Sequence, residues 1–426
     1  MKFSSLVILV SLNLLLPGLS AAAQEALTSA QPAKLADLLA EAERNNPQIQ
    51  AARHESEAAK HVPTQVSTLP DPQFVLQHLS VGSPRPFAGY TNSDFAYVGL
   101  GFSQDIPYPG KLRLRGEVAK KDADVSQQQY ESVRRAVLTD LKTTYFLLAY
   151  LSKRHAVLEG DRQLLQQVEL AANARYRSGM GNQQEIIQAQ LQETKLFREI
   201  TENELERGKA QAQLKQLLNR PQSSPDVDTV ELSDTTATYT YDQLLSAART
   251  NNPEIAGAQK MVEKQGLQVD LAKKDFYPDF NLQYMWQRTD PTQFRAYYML
   301  TFGVRVPIYR KRKQQPELAQ AEADHSRARS EYEMQSQHVA FELRQQYLEA
   351  EKSEELLKIY REGLLPQARA EVQAGLAAYQ SNRLDFQALL NSFLDVLKLD
   401  EEYWQTLSQH ETAFSQIEGI TGLSLR

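Results

Sequence analysis

The chain is written twice. Leu38 to Ile49, which contains Asn45-Asn46-Pro47, is echoed by Leu244 to Ile255 with Asn251-Asn252-Pro253, at a constant offset of 206 residues. Leu69-Pro70-Asp71 returns as Tyr277-Pro278-Asp279 at an offset of 208. Phe102 to Pro107 returns as Phe302 to Pro307, and Ala119 and Asp124 as Ala319 and Asp324, at an offset of 200. The order holds over most of each half, so a duplicated unit of about 200 residues explains it; a solenoid would need more copies of a shorter period. The repeats occupy 24–220 and 221–426, and residues 1–23 stand outside the pattern. Any fold for this chain must therefore be buildable from two similar halves.

Residues 1–23 read as a signal peptide. Lys2 supplies the positive start, Leu6 to Leu16 the apolar core, and Ala21-Ala22-Ala23 the small-residue cleavage site. A short buried helix is the alternative. The expectation is export with cleavage after Ala23. There is no cysteine, which rules out disulfides, thiolate metal sites, a cysteine nucleophile and lipidation through an N-terminal Cys. With 47 Lys+Arg against 53 Asp+Glu the net charge is −6, so no basic footprint for nucleic acid is expected. A mean hydropathy of −0.51 is too polar for a bundle of membrane helices.

Each repeat reads helix, strand, strand, long helix, helix, with helical segments over 35–69, 108–277 and 308–418 and strand-bearing segments over 70–107 and 278–307. Pro47 fits the first position of a helix, where its missing N–H does no harm, and the helix should run from Ile49 to about Val66. A second helix should start near Lys111 and reach Tyr176. Leu151, Leu158, Leu165 and Ala172 recur every seven residues along it, as Leu390, Leu397 and Trp404 do in the second half. Sustained heptads indicate coiled-coil packing. At 1.5 Å per residue such a helix is a rod of about 100 Å.

Between the helices lie segments of period two. Phe280, Leu282, Tyr284 and Trp286 alternate with polar residues, as do Phe294, Ala296, Tyr298, Leu300, Phe302, Val304 and Val306; Ala96, Val98, Leu100 and Phe102 repeat the pattern in the first half, with Phe74 and Leu76 more weakly. A membrane β-barrel has such strands, with an apolar lipid face, and so does a soluble antiparallel sheet packed on helices. Four strands cannot close a barrel, so a barrel here would be shared by several chains. Pro70, Pro107, Pro278 and Pro307 fall at the expected joints between strand and helix. The Gly/Pro/Ser/Thr-rich stretches Val81 to Ser93 and Thr289 to Gln293 should be the outward tips of such a barrel.

The two Asn-Asn-Pro elements, Leu69-Pro70-Asp71-Pro72, Tyr277-Pro278-Asp279-Phe280, Ile106-Pro107-Tyr108-Pro109-Gly110-Lys111 and the turn Arg175 to Gly179 followed by Glu185 together resemble the TolC-type outer-membrane efflux proteins. The Pro-Tyr-Pro-Gly-Lys piece is similar to the heavy-metal, CzcC/CusC-like branch. The likeness spans Leu35 to Ile417. It implies a mainly α fold with a small β part, in which four strands per chain form a shared twelve-stranded barrel in a homotrimer, continued by a periplasmic α-barrel. It also implies an outer-membrane location in contact with lipid, a periplasmic adaptor and an inner-membrane transporter of the resistance-nodulation-division type. On this reading Phe280, Leu282, Tyr284, Trp286, Phe294, Leu300 and Phe302 face lipid.

The resemblance also places the helix turns at a periplasmic aperture. Aligned at an offset of 200, Tyr176 to Glu185 meets Leu376 to Asp385, so Asp385 and Glu185 become candidate gate acids and Tyr176, Gly179, Leu376 and Tyr379 the tip. The family's second turn carries a tyrosine, an arginine and a second aspartate where this chain has Leu376, Ser381 and Ala388. Asp385 reads equally as a helix N-terminal acid. No enzyme chemistry is expected: the seven histidines are scattered, no HExxH or Walker sequence occurs, and no cofactor is implied. His54 and His61, seven apart on an expected helix face, are a weak metal pair. The reading is a passive efflux conduit, for which heavy-metal cations are one cargo and drugs, organic solutes or a secreted polypeptide the others. The rival from another class is a periplasmic coiled-coil adaptor without a pore.

Overall fold

A computed structural model describes residues 34–79, 97–229, 239–288 and 296–425. The expected signal peptide, the two expected outward tips, and Phe294 lie outside the described residues. The elements are α1 (Leu35–Asn45), α2 (Pro47–Ala59), α3 (Val62–Ser67), β1 (Gln73–Leu79), β2 (Tyr97–Ile106), α4 (Lys111–Arg177) and α5 (Gln183–Leu217) in the first half. The second half has α6 (Tyr241–Asn251), α7 (Pro253–Lys274), β3 (Asp279–Arg288), β4 (Tyr297–Arg305), α8 (Gln314–Ile359), α9 (Leu365–Gln380) and α10 (Phe386–Thr421). The protein is mainly helical with one small antiparallel sheet.

The duplicated Asn-Pro pair has a double task. The Asn46 side chain accepts from the backbone N–H of Gln48 (2.9 Å) and Ile49 (3.3 Å), capping α2 ahead of Pro47. Its amide donates to the Leu217 carbonyl at 2.8 Å, at the end of α5. Asn252 repeats this, accepting from Glu254 and Ile255 and donating to the Ile420 carbonyl at 3.1 Å, near the end of α10. The expected helix from Ile49 to Val66 is instead split between α2 and α3 at Lys60-His61, because Pro63 has no N–H to continue the ladder.

The long helix from Lys111 is 67 residues, about 100 Å. The second half covers the same length differently. Gln314 to Gln380 is also 67 residues, but a π-helical turn at Tyr360–Leu364 separates α8 from α9. There the Leu365 N–H donates to Tyr360, five residues back, and the next residue, Pro366, has no N–H to give. Both rods thus count residues at an offset of 203, so the Ala119/Ala319 and Asp124/Asp324 matches at 200 are coincidences within the helices. Three extra residues enter between Pro307 and Gln314.

Leu151, Leu158, Leu165 and Ala172 are all buried, as the heptads require. In α10 the expected seam holds only at its start. Leu390 is buried together with Leu389, Phe393 and Val396, while Leu397 and Trp404 are only partly covered; Phe393 shares the apolar cluster with Leu165 of α4 and Leu196 of α5.

The sheet order is β1-β2-β3-β4, all antiparallel, with β1 and β4 as edges. Leu76, Leu100, Trp286 and Tyr298 form one cross-strand row, and Phe74, Phe102, Tyr284 and Leu300 the next. Side chains directly opposite share a face, so the apolar set lies together. It is uncovered: Phe74 is 81 % exposed, Leu300 63 % and Phe302 64 %. The opposite face carries rows such as Gln73, Ser103, Gln283 and Thr301. Gly101 lies on that face against the buried Met285, whose Cε would sit 2.5 Å from a Cβ there, so a side chain at this position would have to displace the methionine tip.

Candidate functional site at the helix turns

Both rods end in the same kind of turn. α4 stops at Arg177 and Gly179 takes a left-handed φ of 76°; α9 stops at Gln380 and Asn382 takes 57°. Glycine and asparagine are the residues that tolerate this conformation. Asn182 caps α5 by accepting from the Glu185 N–H at 3.1 Å, and Asp385 caps α10 by accepting from the Ala388 N–H at 2.7 Å. The turns therefore correspond at an offset of 203, through Tyr-x-Ser-Gly-x-x-Asn over 176–182 and Tyr-x-Ser-Asn-x-x-Asp over 379–385. Asp385 is the counterpart of Asn182, and Glu185 the counterpart of Ala388. The alignment at 200 paired residues with different local tasks.

A network crosses between the two turns. Arg175 donates to the Tyr379 carbonyl (2.6 Å), the Met180 carbonyl (3.2 Å) and Asn382 Oδ1 (2.7 Å). Its guanidinium also lies 4.3 Å from the centre of the Tyr379 ring, a stacked cation–π arrangement. Tyr379 is fully buried, and its hydroxyl donates to Glu185 Oε2 at 2.8 Å. Burial, and then the bond to Glu185, push the phenol well above its usual range, so it remains a neutral donor.

The structure thus brings Glu185 and Tyr379 together and leaves Asp385 exposed on the rim as a helix cap. Gly179 shapes the first turn, Tyr176 is 48 % exposed beside it, and Leu376 packs into the apolar cluster below. Arg175, Asn182 and Asn382 were not among the candidates. Their signal was present as the Tyr-x-Ser pattern at 203, visible once helix length rather than single-residue identity sets the alignment. His54 pairs with Glu57 at 3.2 Å, and His61 lies in the break after α2. Among the described residues no group of three or more His, Asp or Glu side chains is placed to hold a metal ion, and no helix is long and apolar enough to cross a membrane.

A family profile described as outer membrane efflux protein matches residues 38–220 and 244–389. Solved structures share the architecture at low sequence identity. The outer-membrane channel OprN superposes with a TM-score of 0.80 at 16 % identity, over 92 % of this chain and 90 % of that one. The outer membrane protein VceC of Vibrio cholerae gives 0.78 at 17 %, over 93 % and 98 %. CusC, described in terms of folding and transmembrane channel formation, gives 0.78 at 16 %, over 92 % of each. No curated protein matches the chain in sequence.

Proposed function

Because the chain belongs to the outer membrane efflux protein family, we propose that three copies form one outer-membrane conduit, the exit duct of a tripartite efflux system. The observation that carries this reading is a four-stranded sheet with an uncovered apolar face and two unpaired edges, joined to two 67-residue rods. Unpaired edges in hydrocarbon leave orphan backbone groups at several kcal/mol each. Pairing β4 of one copy with β1 of the next removes every edge, and three copies supply twelve strands. The rods then project as a duct toward a periplasmic adaptor and a resistance-nodulation-division transporter.

On this reading the helix turns are the aperture. The Arg175–Tyr379–Glu185 network holds the two turns of one chain together, and symmetry-related Asp385 carboxylates ring the mouth with Glu185 behind them. Converging carboxylates attract cations. Asparagine caps a helix as well as aspartate does, so Asp385→Asn should fold normally while weakening block by a trivalent cation in planar-bilayer conductance. Asp71→Asn, at the far joint before β1, is the control. Unchanged block in Asp385→Asn, or equal loss in the control, would remove Asp385 from the aperture.

Heavy-metal cations are the favoured cargo, on the likeness of Pro107 to Lys111 to the heavy-metal branch and on the acidic rim. Cells lacking the protein should become sensitive to transition-metal cations. Sensitivity to organic solutes alone would assign the other cargo class.

A further inference from the structure

The two joints between barrel and rod are built from opposite chemistry. In the first, three residues separate Pro107 from the start of α4, Tyr108 and Gly110 are half-buried, and the cation that follows is covered. Tyr108 stacks on Tyr277 with ring centres 4.6 Å apart, and Lys111 is 3 % exposed and paired with Asp275 (3.1 Å) and Asp279 (2.9 Å). In the second, six residues separate Pro307 from α8, and they read Ile308-Tyr309-Arg310-Lys311-Arg312-Lys313. All six are exposed, Ile308 at 73 % and Tyr309 at 69 %. None of the four consecutive cations makes an ion pair or a side-chain hydrogen bond among the described residues. This stands out in a chain of net charge −6 whose other cations commonly pair with a carboxylate three or four residues away, as Arg113, Lys209 and Arg327 do. The added length is thus spent on charge and on an amphipathic aromatic.

Position gives that segment its partner. Val304 (47 % exposed) and Val306 (54 %) carry the apolar alternation to the end of β4, and the exposed Ile308 follows across a tight turn at Pro307, closed by the Ile308 N–H donating to the Val306 carbonyl at 3.0 Å. An exposed tyrosine at the end of an apolar face is the chemistry of a membrane–water boundary, and a basic run one residue beyond it meets lipid phosphates rather than hydrocarbon. We propose that Ile308–Lys313 is a docking surface for anionic phospholipid headgroups on the periplasmic side of the bilayer, fixing each chain's depth. This rests on the barrel reading above. Tyr309 and Ile308 enter the interface, and Arg310, Lys311 and Arg312 neutralise headgroup charge.

The test is native mass spectrometry of the full chain in a neutral detergent, titrated with phosphatidylglycerol and, separately, with phosphatidylcholine of the same acyl chains. The wild type should retain phosphatidylglycerol at least about ten-fold better, and the preference should shrink in about 0.5 M salt. The combined variant Arg310→Gln, Lys311→Gln, Arg312→Gln should lose the preference yet remain an oligomer. Arg198→Gln, Lys209→Gln, Lys398→Gln, which removes three exposed cations from α5 and α10, should keep it. Equal retention of the two lipids by the wild type, or a preference that survives in the joint variant, overturns the proposal. So does displacement by millimolar inorganic phosphate, which would mark a free-anion site. Dissociation of the joint variant in either lipid would assign the segment to subunit contact instead, also overturning it. A wild-type chain that stays monomeric and soluble without detergent overturns the barrel itself, a result distinct from all of these.

Discussion

The first rod runs its 67 residues as one α-helix, while the second spends the same number on α8, a π-turn and α9. The strand regions behave in the opposite way. Leu100 and Leu300 stand in equivalent places at an offset of 200, on one uncovered face, 57 % and 63 % exposed. The ends of the two halves are held alike, by the same Asn-Pro caps, the same sheet face and the same left-handed turns, while the path between them has diverged. The duplication preserves the 67-residue length of each rod, while the joint before it (three residues against six) and the local helix geometry have changed.

The largest expected effect tests the shared part of that comparison. Leu100→Arg and Leu300→Arg should each destabilise the assembled protein by about 2–4 kcal/mol if both face hydrocarbon near its middle. Thr301→Arg, on the opposite face, should fold nearly as well. Denaturant unfolding in lipid bilayers reads this. Unequal costs for the two leucines would break the equivalence of the strands, and a worse Thr301→Arg would reverse the faces.

The divergent part is tested by exchanging its cause. Gln163 is the counterpart of Pro366 at 203 and is exposed in mid-α4. Gln163→Pro should cost about 3 kcal/mol, whereas Pro366→Ala should cost nothing and slow amide hydrogen exchange across Tyr360–Leu365. Tolerance of the first, or retention of a fast-exchanging turn in the second, would mean that proline does not set the difference between the rods.

A smaller effect comes from an acid inside the coiled-coil seam. Asp161 sits between Leu158 and Leu165 on α4, is 8 % exposed, and its Oδ2 has no partner. Burial, followed by the charge of Asp400, raises its carboxyl to about 7. Asp400 is itself held by Arg369 at 2.7 Å, and Glu199 adds to the negative field. A carboxyl whose folded pKa exceeds its unfolded one is stabilising while protonated, so its contribution is full below about 4 and is lost as pH rises through about 7. Asp161→Asn should therefore raise stability by about 1–2 kcal/mol at pH 8 and by little at pH 4. A gain independent of pH would place the cause in packing rather than charge. Smallest is Tyr379→Phe, which removes the bond to Glu185 but not the Arg175 stack; a loss of about 1 kcal/mol is expected in thermal unfolding. A larger loss would mean that Glu185 is left without other solvation.

Much of this was legible in the residues. The Asn-Pro caps, the start of α4, its heptad seam and the alternation in β2, β3 and β4 follow from local chemistry that one side chain decides. The break at Lys60 and the π-turn were missed because one proline late in a helical pattern shifts backbone bonding without changing the hydrophobic period. The α10 seam followed the expected column only at Leu390, because Leu389, Leu390 and Phe393 are all apolar and all buried in a cluster shared by α4, α5, α9 and α10, while Leu397 and Trp404 further along are only partly covered. At the turns, Tyr379 and Glu185 were visible as residue types, but Arg175 acts across 204 positions of sequence, a distance that no local pattern spans.

The claim on which everything rests is that one chain's sheet is incomplete. Native mass measurement of the full chain in mild detergent tests it directly. Three copies, with no folded monomer at any dilution that keeps the protein intact, is the expected result, because β1 and β4 are unpaired edges in a single chain. A stable, well-folded monomer in that detergent would contradict the shared barrel.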